Sequence, residues 1–163
     1  MKSYLYVFFI SMVPLIELRG AIPVAYIIKA ANPDFNLILA YILIAIGNML
    51  PVPIIYFFAR KVLEWGKDKP VIGRFFSFCL DKGERGGRKL QEKAGRGLFV
   101  ALMLFVGIPL PGTGAWTGTL AASILDMDFK SSILAVICGV ALAGIIIGVL
   151  CALGLGAYIG VTA

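Results

Sequence analysis

Tyr4–Ala31 reads YLYVFFISMVPLI, then ELR, then GAIPVAYIIKAA: an apolar arm of 13 residues, a triplet with two ionisable side chains, and a second arm of 12. A helix rises about 1.5 Å per residue and a bilayer core is about 30 Å thick, so a crossing takes about 20 residues. Neither arm is that long. The arrangement returns later, where Leu98–Leu110 has 13 residues, Pro111-Gly112-Thr113 interrupts, and Gly114–Leu125 has 12. Each unit is followed by a stretch that is long enough, Asn36–Ala59 with 24 residues and Ser131–Ile159 with 29.

Lipid is the solvent these lengths imply, and composition agrees. Of 163 residues, 60% are hydrophobic and 15% charged, with a mean hydropathy of +0.95. An ordinary soluble domain is about 45–50% apolar and about 25% charged. A globule of this size in water has nowhere to bury that much apolar surface, which excludes a soluble enzyme and leaves room for one transmembrane domain.

Two folds fit the unequal stretches. In one, each short–short unit is a single broken transmembrane helix in a four-helix bundle with both termini inside. In the other, each is a re-entrant hairpin that turns at mid-membrane. The hairpin is the preferred expectation, because Pro109, Pro111, Gly112 and Gly114 forbid a continuous helix. In the first unit Pro14, Gly20 and Pro23 surround the Glu17-Leu18-Arg19 break. Irregular backbone at that depth is tolerated where protein or water covers it. With an offset of 94, Gly20-Ala21 matches Gly114-Ala115 and Asp34-Phe35 matches Asp128-Phe129. One long span per hairpin would then turn the halves over relative to each other, as in secondary transporters. The expected fold is therefore all-α and integral to the membrane. It has two inverted repeats, 1–59 and 98–163, each a re-entrant hairpin plus a transmembrane helix.

Residues 60–97 join the repeats. Between Arg60 and Arg96 lie eleven basic and five acidic residues, which account for the whole formal charge of +6. A basic loop between membrane segments is expected on the cytoplasmic side, against anionic headgroups, so the high pI does not point to nucleic acid. That would place both termini outside if the hairpins form, in the inner (plasma) membrane of a prokaryotic cell. Val71–Leu80, with Phe75, Phe76 and Phe78 beside Arg74, predicts a short interfacial helix. The apolar run at the amino terminus leads into Glu17-Leu18-Arg19 without a small-x-small cleavage site, so it is expected to stay in the mature protein.

The chain has no histidine, so no imidazole serves catalysis, proton relay or metal binding, and any proton carrier must be a carboxylate. Cys79, Cys138 and Cys151 form neither a CxxC nor an even framework. No metal, cofactor or catalytic residue is indicated. Glu17 and Arg19 are the sharpest feature, since ionisable residues inside a bilayer are costly and mark function by default. Two apart on a helix they point to roughly opposite sides, so a direct pair needs a non-helical turn. The pair either locks the hairpin tip or acts as gate and substrate contact, Glu17 carrying a proton and Arg19 meeting an anion. Pro111, Gly112, Thr113, Gly114, Trp116 and Thr117 form the second tip. They lack the strand and Lys-Ser/Thr of a nucleotide-binding loop. A helix N-terminus there, with threonine hydroxyls and Arg19, suits a phosphate or carboxylate; alternatively the glycines only permit close approach. Asn48, before Pro51 and Pro53, either satisfies freed backbone or lines the path. Gly144/Gly148 and Gly156/Gly160 suit helix packing or a dimer equally.

Three strings, Pro14-Leu15-Ile16-Glu17-Leu18-Arg19-Gly20-Ala21-Ile22-Pro23, Gly47-Asn48-Met49-Leu50-Pro51-Val52-Pro53 and Ile108–Gly118, resemble the small multi-drug export proteins. That family is in turn similar to the DedA-like (VTT) membrane proteins. The resemblance implies two opposed re-entrant hairpins and transport, in several DedA-like members of lipids or lipid-linked carriers. Thr113 stands where the DedA-like pattern has the basic residue of a phenylalanine–arginine motif. The expected function is a transporter that alternately exposes a mid-membrane site for a small or amphipathic, anionic-group-bearing substrate, coupled to protons through Glu17. Its expected partners are membrane lipids, that substrate and, because so small a chain encloses little cavity, a second copy in a homodimer. A lipid flippase or scramblase and a non-transporting scaffold are the rival expectations.

Overall fold

The computed structural model describes residues 2–14, 16–67, 96–110 and 112–154. Its elements are α1 (Lys2–Met12), α2 (Glu17–Ala31), α3 (Leu37–Met49), α4 (Val52–Lys67), α5 (Arg96–Gly107), α6 (Ala115–Ile124) and α7 (Phe129–Ala152), with no strand among the described residues. Two stretches are long and apolar enough to cross a membrane, Leu37–Ala59, formed by α3 and α4, and α7. The helices turn apolar side chains outward as well as inward: Ile38 is 74% exposed and Ile145 66%. That surface is unfavourable in water and suited to lipid.

Each boundary has a local cause. The Asn36 side chain accepts from the Ile38 and Leu39 amides and so starts α3, and Asp128 does the same for α7 through the Ser131 amide. Pro14 lies in the turn that ends α1. Two expectations need correcting here. The first break comes before Glu17-Leu18-Arg19, since α1 ends at Met12 and α2 starts at Glu17, so Glu17, Arg19, Gly20 and Pro23 all belong to α2. A proline in a helix interior withdraws one donor, here from the Arg19 carbonyl, without ending the helix when packing holds the rest. The joining segment is also shorter than 60–97, since α4 runs to Lys67 and α5 starts at Arg96. The expected interfacial helix at Val71–Leu80, Pro111, Gly156 and Gly160 lie outside the described residues.

The 94-residue offset extends from identities to whole helices. Shifted by 94, α1 becomes 96–106, α2 becomes 111–125 and Leu37–Ala59 becomes 131–153, against Arg96–Gly107, Ala115–Ile124 and Phe129–Ala152 observed. Packing repeats too, since α1 lies on α3 as α5 lies on α7, while α2 crosses to α7 and α6 crosses to α4. Close approach of α5 and α7 requires Gly139, where a Cβ would stand 2.6 Å from Val106 Cβ and 2.7 Å from Met103 O. Both crossings are braced by a hydroxyl on a carbonyl of the other half. Tyr26 donates to Gly148 O at 3.2 Å, Ser123 to Tyr56 O at 2.8 Å, and Tyr56 in turn to Met127 O. Among the described residues the core is a cluster shared by both halves, with Ile22, Ile44, Val106 and Val136 among its largest fully buried side chains.

Candidate functional site

Glu17 opens α2 with a positive φ of 49°. A side chain in this left-handed region is under steric strain, of the kind that persists only where its surroundings hold it. Here the carboxylate is 4% exposed and spans the two halves: Oε2 accepts from the Ala115 amide at 3.1 Å and Oε1 from the Trp116 amide at 3.0 Å. Those are the first N–H groups of α6, which have no carbonyl within their own helix. The helix dipole places partial positive charge at the same point, so the carboxylate both satisfies and neutralises it. Gly114 makes the contact possible, because a Cβ there would stand 2.8 Å from the Glu17 carboxyl carbon.

Arg19 treats the other side of the same break. Its Nη1 donates to Leu110 O, and its Nη2 donates to Thr113 Oγ1 at 2.8 Å, with Ile108 O at 3.4 Å and Val106 O at 3.5 Å at the edge of the same fork. These carbonyls follow or close α5, where the dipole is negative and four carbonyls lack helical donors. Thr113 stays in place because its hydroxyl lies 3.0 Å from Ile108 O and 2.9 Å from Leu110 O. One residue pair of the first half thus serves both broken ends in the second, the acid at the N-terminus and the base at the C-terminus.

Glu17 and Arg19 each reach across the halves, the carboxylate to the first α6 amides and the guanidinium to Leu110 O and Thr113 Oγ1. Glu17 takes its positive φ at the start of α2, and Arg19 follows within the helix. Gly112, with φ 79° and an exposed backbone, shapes the loop without touching the carboxylate. Thr117 Oγ1 donates to Gly114 O at 3.4 Å, within its own turn. Trp116 contributes its backbone, while its indole Nε1 is buried without a partner, as are Arg19 Nε and both amide atoms of Asn48.

Beside this junction α2, α3 and α7 enclose an apolar groove of about 510 Å³, reaching from Leu18 past Tyr26 and Tyr41 to Gly148. Sequence reasoning passed over it, since its walls are ordinary apolar residues; the signal within reach was the Gly144/Gly148 spacing. Those two glycines serve contacts within the chain: a Cβ on Gly144 would touch Leu18 at 3.4 Å, and Gly148 faces the Tyr41 phenol. Tyr26, Tyr56 and Ser123 were missed for the same reason, as single hydroxyls in apolar runs. Among the described residues no cluster of acids or cysteines suits a metal.

No curated protein and no solved structure matches the chain. The family of small multi-drug export proteins matches residues 17–146, which take in α2 and most of α7 and therefore both partners of the junction. The chain belongs to that family: a membrane protein of an export family, a transporter rather than an enzyme.

Proposed function

We propose that this member of the small multi-drug export family moves a small or amphipathic compound bearing an anionic group across the membrane, with the Glu17–α6 junction as its gate. In this reading α1–α2 and α5–α6 are re-entrant hairpins of two inverted repeats, entering from opposite leaflets and meeting where Glu17 and Arg19 reach the second break. The observation that carries it is a buried carboxylate of one half held on the helix N-terminus of the other. With Glu17 ionised, both carboxylate oxygens accept and the halves are clasped. A proton on Glu17 removes the charge that the α6 dipole attracts and one of the acceptors, and the clasp loosens. The freed α6 amides, with Arg19 beside them, then offer an anionic group the place Glu17 has left. Loss of the proton restores the clasp and expels the compound to the side now open. Pro111, Gly112, Thr113, Gly114, Trp116 and Thr117 shape that place and Asn48 lines the path. The basic stretch within 60–97 faces the cytoplasm of a prokaryotic cell, and two copies associate.

The test is dye movement in proteoliposomes of the full chain, with carboxyfluorescein as the anionic probe and ethidium as a cationic control. Carboxyfluorescein moves faster than ethidium, its rate follows an imposed pH difference, and Glu17→Gln removes that dependence. Movement indifferent to both the pH difference and Glu17→Gln rejects the gate. A second reading, exchange of lipid between leaflets, is favoured by the apolar groove beside Leu18. Labelled-lipid exchange that ignores both salt and the proton gradient distinguishes it.

A further inference from the structure

Asn48 is the twelfth of the 23 residues of Leu37–Ala59, the midpoint of that span. Its side chain is 0% exposed, and neither Nδ2 nor Oδ1 has a hydrogen-bond partner in the protein. A buried amide in that condition carries the desolvation penalty of both groups, with no water in a bilayer core to relieve it. The backbone on either side is short of donors as well. Proline has no N–H, so Pro51 and Pro53 withdraw the helical donors of the Gly47 and Met49 carbonyls. Regular bonding brackets the gap, Leu50 N to Ile46 O at 3.0 Å before it and Ile55 N to Pro51 O at 2.9 Å after it. α1 seals the Gly47 side: a Cβ there would stand 2.7 Å from Phe8 O, and the Ser11 hydroxyl donates to that same oxygen at 2.6 Å.

The second half shows that the fold does not require this polar centre. At the 94-residue offset Leu142 occupies the place of Asn48, and Ile145 and Ile147 those of Pro51 and Pro53. There α7 runs unbroken for 24 residues. An architecture that accepts Leu-Ile-Ile at one copy of the position has no structural need of Asn-Pro-Pro at the other. Replacing a buried polar group by an apolar one of similar shape is commonly neutral or stabilising, so an unpartnered amide retained at mid-span points to something it binds.

We propose that the Asn48 side chain forms a mid-membrane site for a small neutral group that donates and accepts hydrogen bonds at once. The amide itself fixes that class. Oδ1 is an acceptor and calls for a donor, whereas Nδ2 carries two protons and calls for an acceptor. A cation satisfies Oδ1 and leaves Nδ2 facing a like charge; a carboxylate satisfies Nδ2 and repels Oδ1. Water fits both demands, and so does a hydroxyl or amide of a transported compound. Only the second source rests on the export reading; the first stands without it.

The chain contains three asparagines, Asn32, Asn36 and Asn48, so side-chain ¹⁵N labelling of asparagine in the full chain in lipid bilayers gives three amide signals for solid-state NMR. Asn48→Leu, which copies Leu142, identifies the signal of Asn48. Asn32→Ser with Asn36→Ser does so by leaving Asn48 alone if that variant does not fold. The expected result is magnetisation transfer from water to the Asn48 amide. Transfer that persists with chloramphenicol, a probe carrying hydroxyl and amide groups, assigns a resident water. Transfer lost on adding it, or a chloramphenicol-induced shift without transfer, assigns the compound. No transfer and no shift overturns the site, whatever the stability of Asn48→Leu. A chain that moves no dye but shows water at Asn48 refutes the export reading and leaves this one standing.

Discussion

Replacing Glu17 with alanine deletes the acceptor of two charge-assisted hydrogen bonds and leaves the Ala115 and Trp116 amides at the start of α6 without their partner. Bonds to a charged group contribute about 1.5–3 kcal/mol each. With the carboxylate 4% exposed, solvent does little to replace them, so Glu17→Ala is expected to cost about 3–5 kcal/mol in total. Glu17→Gln keeps one oxygen that accepts an amide and loses the charge and the second bond, a cost of about 2–3 kcal/mol. A third variant isolates the backbone. The φ of 49° at Glu17 burdens any side chain by about 1–2 kcal/mol relative to glycine, so Glu17→Gly should be about 1 kcal/mol more stable than Glu17→Ala despite the same lost bonds. Unfolding by dodecyl sulfate in bicelles, followed by circular dichroism, ranks the three. The order parent, Gln, Gly, Ala is expected. Equal costs for Gln and Ala would show that the charge carries the whole effect and that an uncharged acceptor oxygen contributes nothing, and a stable Glu17→Ala would remove the clasp altogether.

Two further outcomes follow from neighbouring geometry. Arg19→Lys exchanges a planar fork for a single ammonium that cannot reach Leu110 O and Thr113 Oγ1 together, so it should cost about 1–2 kcal/mol. Combined with Thr113→Val it should show a coupling of about 0.5–3 kcal/mol in a double-mutant cycle, and additivity would break the link. Gly148→Ala puts a methyl group into the space of the Tyr41 phenol, an overpacking cost of about 1–3 kcal/mol in the same bicelle assay, and Tyr41→Phe should recover part of it.

How much of this was readable beforehand depended on the kind of signal. The short arms and long spans were legible because helix length against bilayer thickness is simple geometry, and the second break was written in Pro109, Gly112 and Gly114. The first break was displaced by a few residues. Charge suggested that Glu17-Leu18-Arg19 is the interruption, whereas charged residues can begin a helix when their partners come from elsewhere in the fold. Glu17 and Arg19 were marked as special by their cost in lipid, but the partner of each lies about 90 residues away among backbone atoms, and backbone atoms leave no trace in residue identity. Tyr26, Tyr56 and Ser123 are hydroxyls that a hydropathy reading counts as nearly apolar. Their value depends on a carbonyl of the other half being within reach, which packing alone decides.

The bond from Arg19 to Thr113 joins positions that correspond to each other in the two halves. At that place the first half contributes a cationic side chain while the second contributes a hydroxyl and main-chain oxygens. The two halves therefore divide the labour, one a donor of chemical groups and the other a frame of exposed backbone. A saturation library should carry that imprint. The first half will punish changes of charge at two positions, and the second will forgive most side chains at its break while rejecting whatever bends the main chain a different way. Neither half will work when spliced to a copy of itself.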